Sequence, residues 1–321
     1  MIRNSLLFGG TTLIKGVFSF ILIAVYTRML SPDAFGDYAI VIAAVNVLDM
    51  LAFMWLRHAM MRHIHDEAQE NDAGILSNAA ALYAAIALVM VFAGVVSVFA
   101  PVSGVLKLIA FVAVAESVSN IMILMVRLRL RRRMFFTLNV IKPVLSLVIG
   151  AGLIVMGYGA SGAVIGLLAA CVIAAVLGGV FCPDKRNISR ALLSRQTMRE
   201  ITVFGLPLII ALSVQSAIKM TDRMLLEGMI GGDITGLYAA AQDIPYKLIM
   251  IITSSLHLAA YPLAVKALER GGKADCDRQL EVNFAVIIGI VAPASIGIIT
   301  LSPEFSHVLL GADFRPFATL T

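Results

Sequence analysis

The chain has 321 residues, of which 60% are hydrophobic and only 14% are charged, and its mean hydropathy is +0.94. A soluble domain carries roughly 25% charged residues, so this composition excludes an ordinary soluble enzyme or binding module. The charged residues are clustered between long apolar runs, which is typical of an integral membrane protein that crosses the bilayer many times.

Nine apolar stretches are each long enough to cross the hydrocarbon core, which requires about 20 residues in a helix. They lack the period-2 alternation of a barrel strand, so we predict an all-α polytopic membrane protein. A tenth helix is expected to begin near Phe314. The nine predicted helices cover residues 6–27, 36–57, 75–100, 104–126, 138–157, 160–181, 202–222, 234–261 and 282–301.

Lysine and arginine are concentrated in the loops that follow predicted helices 2, 4, 6 and 8. Because cytoplasmic loops retain an excess of these residues, the amino terminus is predicted to be cytoplasmic. Arg57 and Arg62 are assigned to the loop after helix 2. His58, His63 and His65 are assigned to the same loop, and because they lack a recognisable ligand spacing, no metal site is expected there. The basic run Arg127–Phe136 is explained by topology and anionic lipid headgroups, so no nucleic acid partner is expected.

Two segments 200 residues apart share one pattern: MLSPDAFGDYA at Met29–Ala39 and MIGGDITGLYA at Met229–Ala239. Each lies where the chain turns between two apolar helices. The same order of landmarks along the helices that flank each turn indicates an internal duplication. The matched residues are Met29 and Met229, Asp33 and Asp233, Gly36 and Gly236, Tyr38 and Tyr238, and Ala39 and Ala239.

The duplication predicts two parallel repeats, or lobes, of about six transmembrane helices each, because an even number of helices separates the copies. We assign residues 1–181 to an amino-terminal lobe, 182–201 to a basic cytoplasmic linker, and 202–321 to a carboxy-terminal lobe. The second lobe would hold helices 7–9 and the start of helix 10, so it is expected to be truncated in this chain. Transporters built from such halves bind substrate between them near the bilayer midplane.

Ionisable residues inside the predicted helices are candidates for function, because each costs about 3 kcal/mol at the bilayer centre. Lys15 and Asp49 lie at similar predicted depths and are expected to be able to pair. Glu116 lies in the middle of helix 4, and Asp243 and Lys247 are spaced to share one face of helix 8. These charges either fix helix packing or line a cationic cavity, and the sequence alone does not separate the two.

Three motifs resemble the polysaccharide-repeat (O-antigen type) flippases of the multidrug/oligosaccharidyl-lipid/polysaccharide exporter superfamily. They are YTRMLSPDAFGDYAI, DRMLLEGMIGGDITGLYAAAQ and LSPEFSHVLLGADFR, which occur in this order along the chain. Members of that family have twelve to fourteen helices in two lobes. The resemblance implies a transporter rather than an enzyme, without a cofactor or resident metal, in the bacterial inner membrane.

The resemblance further implies the substrate and the residues that bind it. The expected activity is movement of an undecaprenyl-pyrophosphate-linked oligosaccharide from the cytoplasmic to the periplasmic leaflet, for surface polysaccharide synthesis such as lipopolysaccharide or exopolysaccharide. Its expected partners are this lipid-linked oligosaccharide, membrane lipids, and the polymerase and glycosyltransferases of the same route. By position, Lys15 and Lys247 are the candidates for binding the anionic head group, with Lys219 and Arg28 as weaker ones.

Two alternatives remain open at this stage. A cation-coupled drug or metabolite antiporter of the same superfamily would favour an acidic cavity. A membrane glycosyltransferase or polymerase would favour an acidic sugar-nucleotide motif or a large outer loop. Asp49, Glu116 and Asp243 are the candidates either for carrying a coupling proton or for pairing with a cation, since burial can raise the pKa of a carboxylate.

Overall fold

Helices account for nearly every residue whose structure is described. The computed structural model describes residues 2–63, 72–99, 101, 104–128, 131–181 and 192–314, and no strand occurs within these ranges. Short 3₁₀ or π segments connect or continue several of the helices. The α-helices are α1 (Ile2–Met29), α2 (Pro32–Asp49), α3 (Trp55–His63), α4 (Asp72–Val98), α5 (Ile109–Leu128), α6 (Arg132–Leu153), α7 (Gly159–Phe181), α8 (Arg195–Met229), α9 (Gly232–Thr300) and α10 (Ser302–Leu309).

Five helical stretches of the described residues are long and apolar enough to cross a membrane. One of them, Arg133–Phe181, contains both α6 and α7, which are joined by a π segment in which Gly157 has a φ of 92°. This backbone conformation is accessible to glycine without a Cβ clash, so the chain changes direction there. The other four stretches are Pro32–Arg62, Ala73–Val98, Leu106–Leu128 and Arg270–Thr300.

The outward faces of these helices carry more large apolar side chains than the surface of a soluble protein normally exposes to water. On α4, for example, Leu88 is 73% exposed and Phe92 is 70% exposed. Hydrocarbon solvates such surfaces without cost, which explains how α4 can remain little buried within the protein. The chain is therefore an all-α, multi-pass membrane protein.

The helix predictions hold, with corrections at several boundaries. The helix predicted at 36–57 continues through the π segment Met50–Met54 and α3 to His63, so Arg57, His58 and Arg62 are helical rather than in a loop. The stretches predicted at 234–261 and 282–301 both lie in α9, which is interrupted at Gly272. α8 begins at Arg195, so the end of the predicted linker is helical, whereas residues 182–191 lie outside the described residues.

The end of the chain also differs from the sequence prediction. A short helix, α10, follows α9 directly and was not predicted. It begins at Ser302 and Pro303, and proline is favoured in the first turn of a helix because its missing N–H is not needed there. The tenth helix expected from Phe314 onward lies outside the described residues, except for Phe314 itself, which is buried.

The chain forms two compact units: Met1–Ser31 with Leu237–Thr321, and Pro32–Gly236. The first, which we call unit 1, contains α1, most of α9, and α10. The second, unit 2, contains α2 to α8 and the first turn of α9. Its core has two main clusters, one around Phe53, Trp55 and Tyr83 and the other around Val41, Val112 and Val164.

Candidate functional site

Asp49, at the end of α2, forms a two-pronged ion pair with Arg57 of α3. Arg57 Nη1 donates to Asp49 Oδ1 at 2.8 Å, and Nη2 donates to Oδ2 at 2.6 Å. The π segment Met50–Met54 separates the two residues. Both side chains are nearly buried, at 12% and 13% exposure, and a parallel double contact is the strongest arrangement that arginine makes with a carboxylate.

The same guanidinium extends the network to a neighbouring helix. Arg57 Nη1 also donates to the hydroxyl oxygen of Ser117 on α5 at 3.0 Å. The Ser117 hydroxyl is in turn hydrogen-bonded to the hydroxyl of Tyr83 on α4. The Asp49–Arg57 pair therefore links four helices, α2 to α5, at one level of unit 2.

A second charged cluster lies beside the first, centred on Glu116 of α5. Lys142 Nζ of α6 donates to Glu116 Oε1 at 2.7 Å and to Ser119 Oγ at 2.9 Å. It also lies 3.3 Å from Asn120 Oδ1. The thiol of Cys171, on α7, donates to the other oxygen of Glu116, with Sγ 2.9 Å from Oε2. Glu116 is thus held by three helices.

Glu116 and Ser117 are adjacent in sequence, so the two clusters meet on α5. Each contains one cation and one anion, and together they form a charge-balanced polar layer inside unit 2. Removing either partner of a buried pair leaves an uncompensated charge in an apolar environment, which is costly. This arrangement is suited to helix packing. Because Arg57 and Lys142 are each neutralised by a carboxylate, neither has positive charge left to bind an anionic ligand.

Asp49 is paired with Arg57, which was not predicted; the expected pair of Asp49 with Lys15 stays a prediction, because the Lys15 side chain lies outside the described residues. The sequence placed Arg57 in a loop because the apolar run ends near residue 57. The side chains of Lys15 and Lys219 lie outside the described residues, so their role as candidate binding residues stays a prediction.

Lys247 lies in unit 1, four residues after Asp243 on α9, with Nζ 3.5 Å from Asp243 Oδ2. This pair is longer and more exposed than the Lys142–Glu116 pair, since the two side chains are 27% and 22% exposed. One turn further along α9, Ile251 packs against Gly16 of α1. The contact brings the backbone next to Lys15 close to the helical turn that follows Lys247.

Arg28, the fourth candidate, is held at the end of α10. Its guanidinium donates to the carbonyl oxygen of Val308 at 2.5 Å, and the N–H of Gly311 donates to the Thr27 hydroxyl oxygen at 3.2 Å. Helix ends leave carbonyl groups without partners, and a basic side chain satisfies one of them. The contact gives Arg28 a structural role in joining α1 to α10.

A buried arginine in the second copy of the repeated segment was not among the predicted site residues. Arg223 of α8 is only 4% exposed and donates from Nη1 to the carbonyl oxygen of Ala39 on α2 at 2.8 Å. It begins the segment Arg223–Leu225, which repeats the Arg-Met-Leu of Arg28–Leu30. That repeated tripeptide was the available signal, since both arginines bind a backbone carbonyl of another helix. Within the described ranges, no cluster of three or more His, Cys, Asp or Glu side chains has the arrangement of a metal site.

The chain is similar to one protein family and to several solved structures. A family model described as "Polysaccharide biosynthesis protein" matches residues 25–319, whereas no curated protein matches. Among solved structures, the inward-facing conformation of a multidrug resistance MATE family transporter of the MOP superfamily is similar, with a TM-score of 0.63 and 15% identity over 95% of this chain and 74% of that one.

Two further solved structures of MATE proteins share the fold. One, in the straight conformation, has a TM-score of 0.54 at 15% identity, covering 99% of this chain and 77% of that one. The other, in complex with MaD3S, has a TM-score of 0.52 at 14% identity, covering 98% of this chain and 76% of that one. The fold described here is therefore that of MATE transporters.

Proposed function

Because the chain belongs to the polysaccharide biosynthesis protein family, we propose that it carries a lipid-linked oligosaccharide across the membrane during surface polysaccharide synthesis. The observation that carries the proposal is the family match over residues 25–319 in a chain with the fold of MATE transporters. We propose the substrate to be an undecaprenyl-pyrophosphate-linked oligosaccharide, moved from the cytoplasmic to the periplasmic leaflet of the bacterial inner membrane by alternating access.

The proposed orientation has the amino terminus in the cytoplasm, supported by the basic residues in alternate loops. In this orientation the turns before Pro32 and Gly232 face the periplasm. The oligosaccharide enters from the side where glycosyltransferases make it, and a polymerase uses it on the other side. These enzymes are therefore the partners that we propose, together with membrane lipids.

A pyrophosphate head group requires cationic partners along its path, because an unpaired anion in hydrocarbon is very costly. Arg57 and Lys142 are already balanced by Asp49 and Glu116. We propose instead that Lys247 and Lys15 bind the head group, with Lys219 and Arg28 in weaker supporting roles. The longer, more exposed Lys247–Asp243 pair supports this assignment, since its Coulomb energy is smaller than that of a short, buried pair.

The contact between Gly16 and Ile251 gives a second reason to pair these two lysines. It places the α1 backbone beside Lys15 against the helical turn after Lys247, within unit 1. Two cations at the head group would match the two negative charges of a pyrophosphate diester. An inside-negative membrane potential would then favour outward movement of that anion by about 2.3 kcal/mol per charge per 100 mV.

The test is complementation of a flippase-deficient bacterial strain with the full-length protein, scored by the polysaccharide that reaches the cell surface. Lys15→Ala and Lys247→Ala are expected to reduce surface polysaccharide at least about tenfold with unchanged protein level, which corresponds to roughly 1.4 kcal/mol of lost binding. Lys266→Ala is the matched control, because Lys266 is an exposed lysine elsewhere on α9 and its removal should have no effect. Full retention by both variants would contradict the binding assignment.

A second measurement separates the flippase from a drug or metabolite antiporter. Purified protein in proteoliposomes should expose a lipid-linked oligosaccharide to a glycan-modifying enzyme on the opposite side. Efflux of cationic drugs driven by a proton or sodium gradient, without this exposure, would favour the antiporter instead.

A further inference from the structure

The two copies of the repeated turn motif touch one another inside unit 2. Gly36 lies in the first turns of α2 and Gly236 in the first turns of α9, and the 200-residue repeat aligns these two glycines. A Cβ atom on Gly36 would lie 2.5 Å from the carbonyl oxygen of Gly232 and 3.0 Å from the backbone nitrogen of Gly236. Only glycine permits two helix backbones to approach so closely.

The contact is reciprocal. A Cβ atom on Gly236 would collide with the carbonyl oxygen of Pro32 and would lie 2.9 Å from the backbone nitrogen of Gly36. Pro32 and Gly232 are themselves 200 residues apart. Each contact therefore has an equivalent in which both residues are replaced by their partners 200 positions away. This is the pattern of a two-fold interface, in which a surface packs against its own copy.

Three carboxylates lie beside this glycine crossing, two on α2 and one on α8. The side chain of Asp33 lies against Gly232, and Asp37 is close enough to Asp33 and Glu227 for their charges to interact. Asp33 and Asp37 are four residues apart on one helix face, where like charges repel. Close backbone packing thus holds the helices together while electrostatic repulsion opposes it.

We propose that this crossing of Gly36 and Gly236 is the separable outer closure of the transport path. The helix starts are in contact when the path is closed toward the periplasm and part when it opens there. The proposal rests on the proposed function, because it assigns one step of alternating access to this contact. The balance between close packing and three nearby carboxylates gives a contact that can form and break repeatedly.

A disulfide across the crossing tests whether it must open. Asp33 Cγ, close to where the sulfur of a cysteine would lie, is 3.3 Å from the Cβ position on Gly232, a separation compatible with disulfide geometry. In a variant whose native cysteines are replaced by serine, Asp33→Cys with Gly232→Cys should crosslink under oxidation. Transport should then stop and should return on reduction, whereas each single variant should be insensitive to oxidant.

A bulky side chain at the crossing tests the same contact without requiring any substrate. Ala43 lies seven residues after Gly36 on the same face of α2 and is 7% exposed, so Ala43→Cys reports access below the crossing. Gly36→Leu should raise labelling of this thiol by a membrane-impermeant maleimide added from the periplasmic side. A rise of about tenfold is expected if a minor open state becomes the major one.

Two variants make the labelling experiment interpretable. Gly152→Leu is the matched control, because a Cβ on Gly152 meets no atom within 4 Å, and it should leave labelling unchanged. Gly36→Ala replaces Gly36→Leu if the larger side chain prevents accumulation, since even its Cβ would collide with Gly232.

Unchanged labelling with folded protein, increased labelling from the cytoplasmic side only, or full transport by the crosslinked protein would overturn the proposal. Thiol labelling does not depend on what is carried. If labelling changes as expected but no lipid-linked oligosaccharide is moved, the proposed closure is therefore retained and the proposed substrate is rejected.

Discussion

Replacing Lys142 with methionine is the most direct test of the charged layer in unit 2. Lys142 Nζ lies 2.7 Å from Glu116 Oε1 and 2.9 Å from Ser119 Oγ, and the two charged side chains are 14% and 21% exposed. Methionine preserves the length of the side chain and removes only the charge and its donors. Glu116 then loses its cationic partner among apolar helices and keeps Asn120 and Cys171 as its donors.

The magnitude follows from the distance and the burial. At 2.7 Å, the attraction between unit charges is about 6 kcal/mol at an effective dielectric constant near 20, and desolvation of both groups offsets much of it. Breaking a buried pair from one side typically costs about 3–5 kcal/mol, whereas replacing both partners is often neutral. We therefore expect Lys142→Met to destabilise strongly and Glu116→Gln with Lys142→Met to recover most of the loss.

The assay is thermal unfolding of purified protein in detergent, where a loss of this size corresponds to a shift of roughly 4–7 °C for a chain of this length. Lys266→Met is the control, because Lys266 is exposed and surface substitutions usually change stability by less than about 0.5 kcal/mol. Equal destabilisation in the single and double variants would refute the reasoning, since a double-mutant cycle must show coupling if the two charges depend on each other.

Two further stability predictions use the same assay. Arg57→Lys should cost about 1–2 kcal/mol, because a single ammonium cannot reproduce the double contact with Asp49; an unchanged melting temperature would show that the parallel geometry contributes nothing. Gly166→Ala should cost about 1–3 kcal/mol, because its Cβ would lie 2.5 Å from Gly150 Cα where α7 packs on α6. Gly152→Ala, which points into open space, should be neutral or stabilising, and equal losses at both glycines would contradict the packing argument.

The sequence predicted the helices well because hydrophobic length is a strong signal in a membrane protein. Apolar runs of about 20 residues have few alternative structures in a bilayer. Boundaries were less accurate where polar residues continue a helix beyond the apolar run, as Arg57 does after Asp49. Composition cannot distinguish a basic loop from a basic helical turn, because both place the same charges near the membrane surface.

Charge pairing was harder to predict than helix position. Asp49 and Lys15 have similar predicted depths, but depth alone does not give the rotation of a helix or its neighbours. The partner that the structure shows for Asp49 is Arg57, which is on the next helix in the chain. Lys142 reaches Glu116 from another helix, and no local spacing rule connects residues that are this far apart. Only the i,i+4 spacing of Asp243 and Lys247 was readable directly from sequence.

Glu116 was also a candidate for carrying a coupling proton. A carboxylate that carries a coupling proton must exchange it with water or a carrier, yet Glu116 is held by hydrogen bonds from Lys142 and Cys171 on neighbouring helices. The variant Glu116→Gln with Lys142→Met removes both the titratable group and the cation while keeping the layer neutral. If Glu116 only packs helices, this variant should retain surface polysaccharide in the complementation assay, with the same dependence on external pH as the wild type. Loss of transport in a stable double variant would instead assign Glu116 to energy coupling, and the charged layer would then belong to the transport cycle rather than to folding alone.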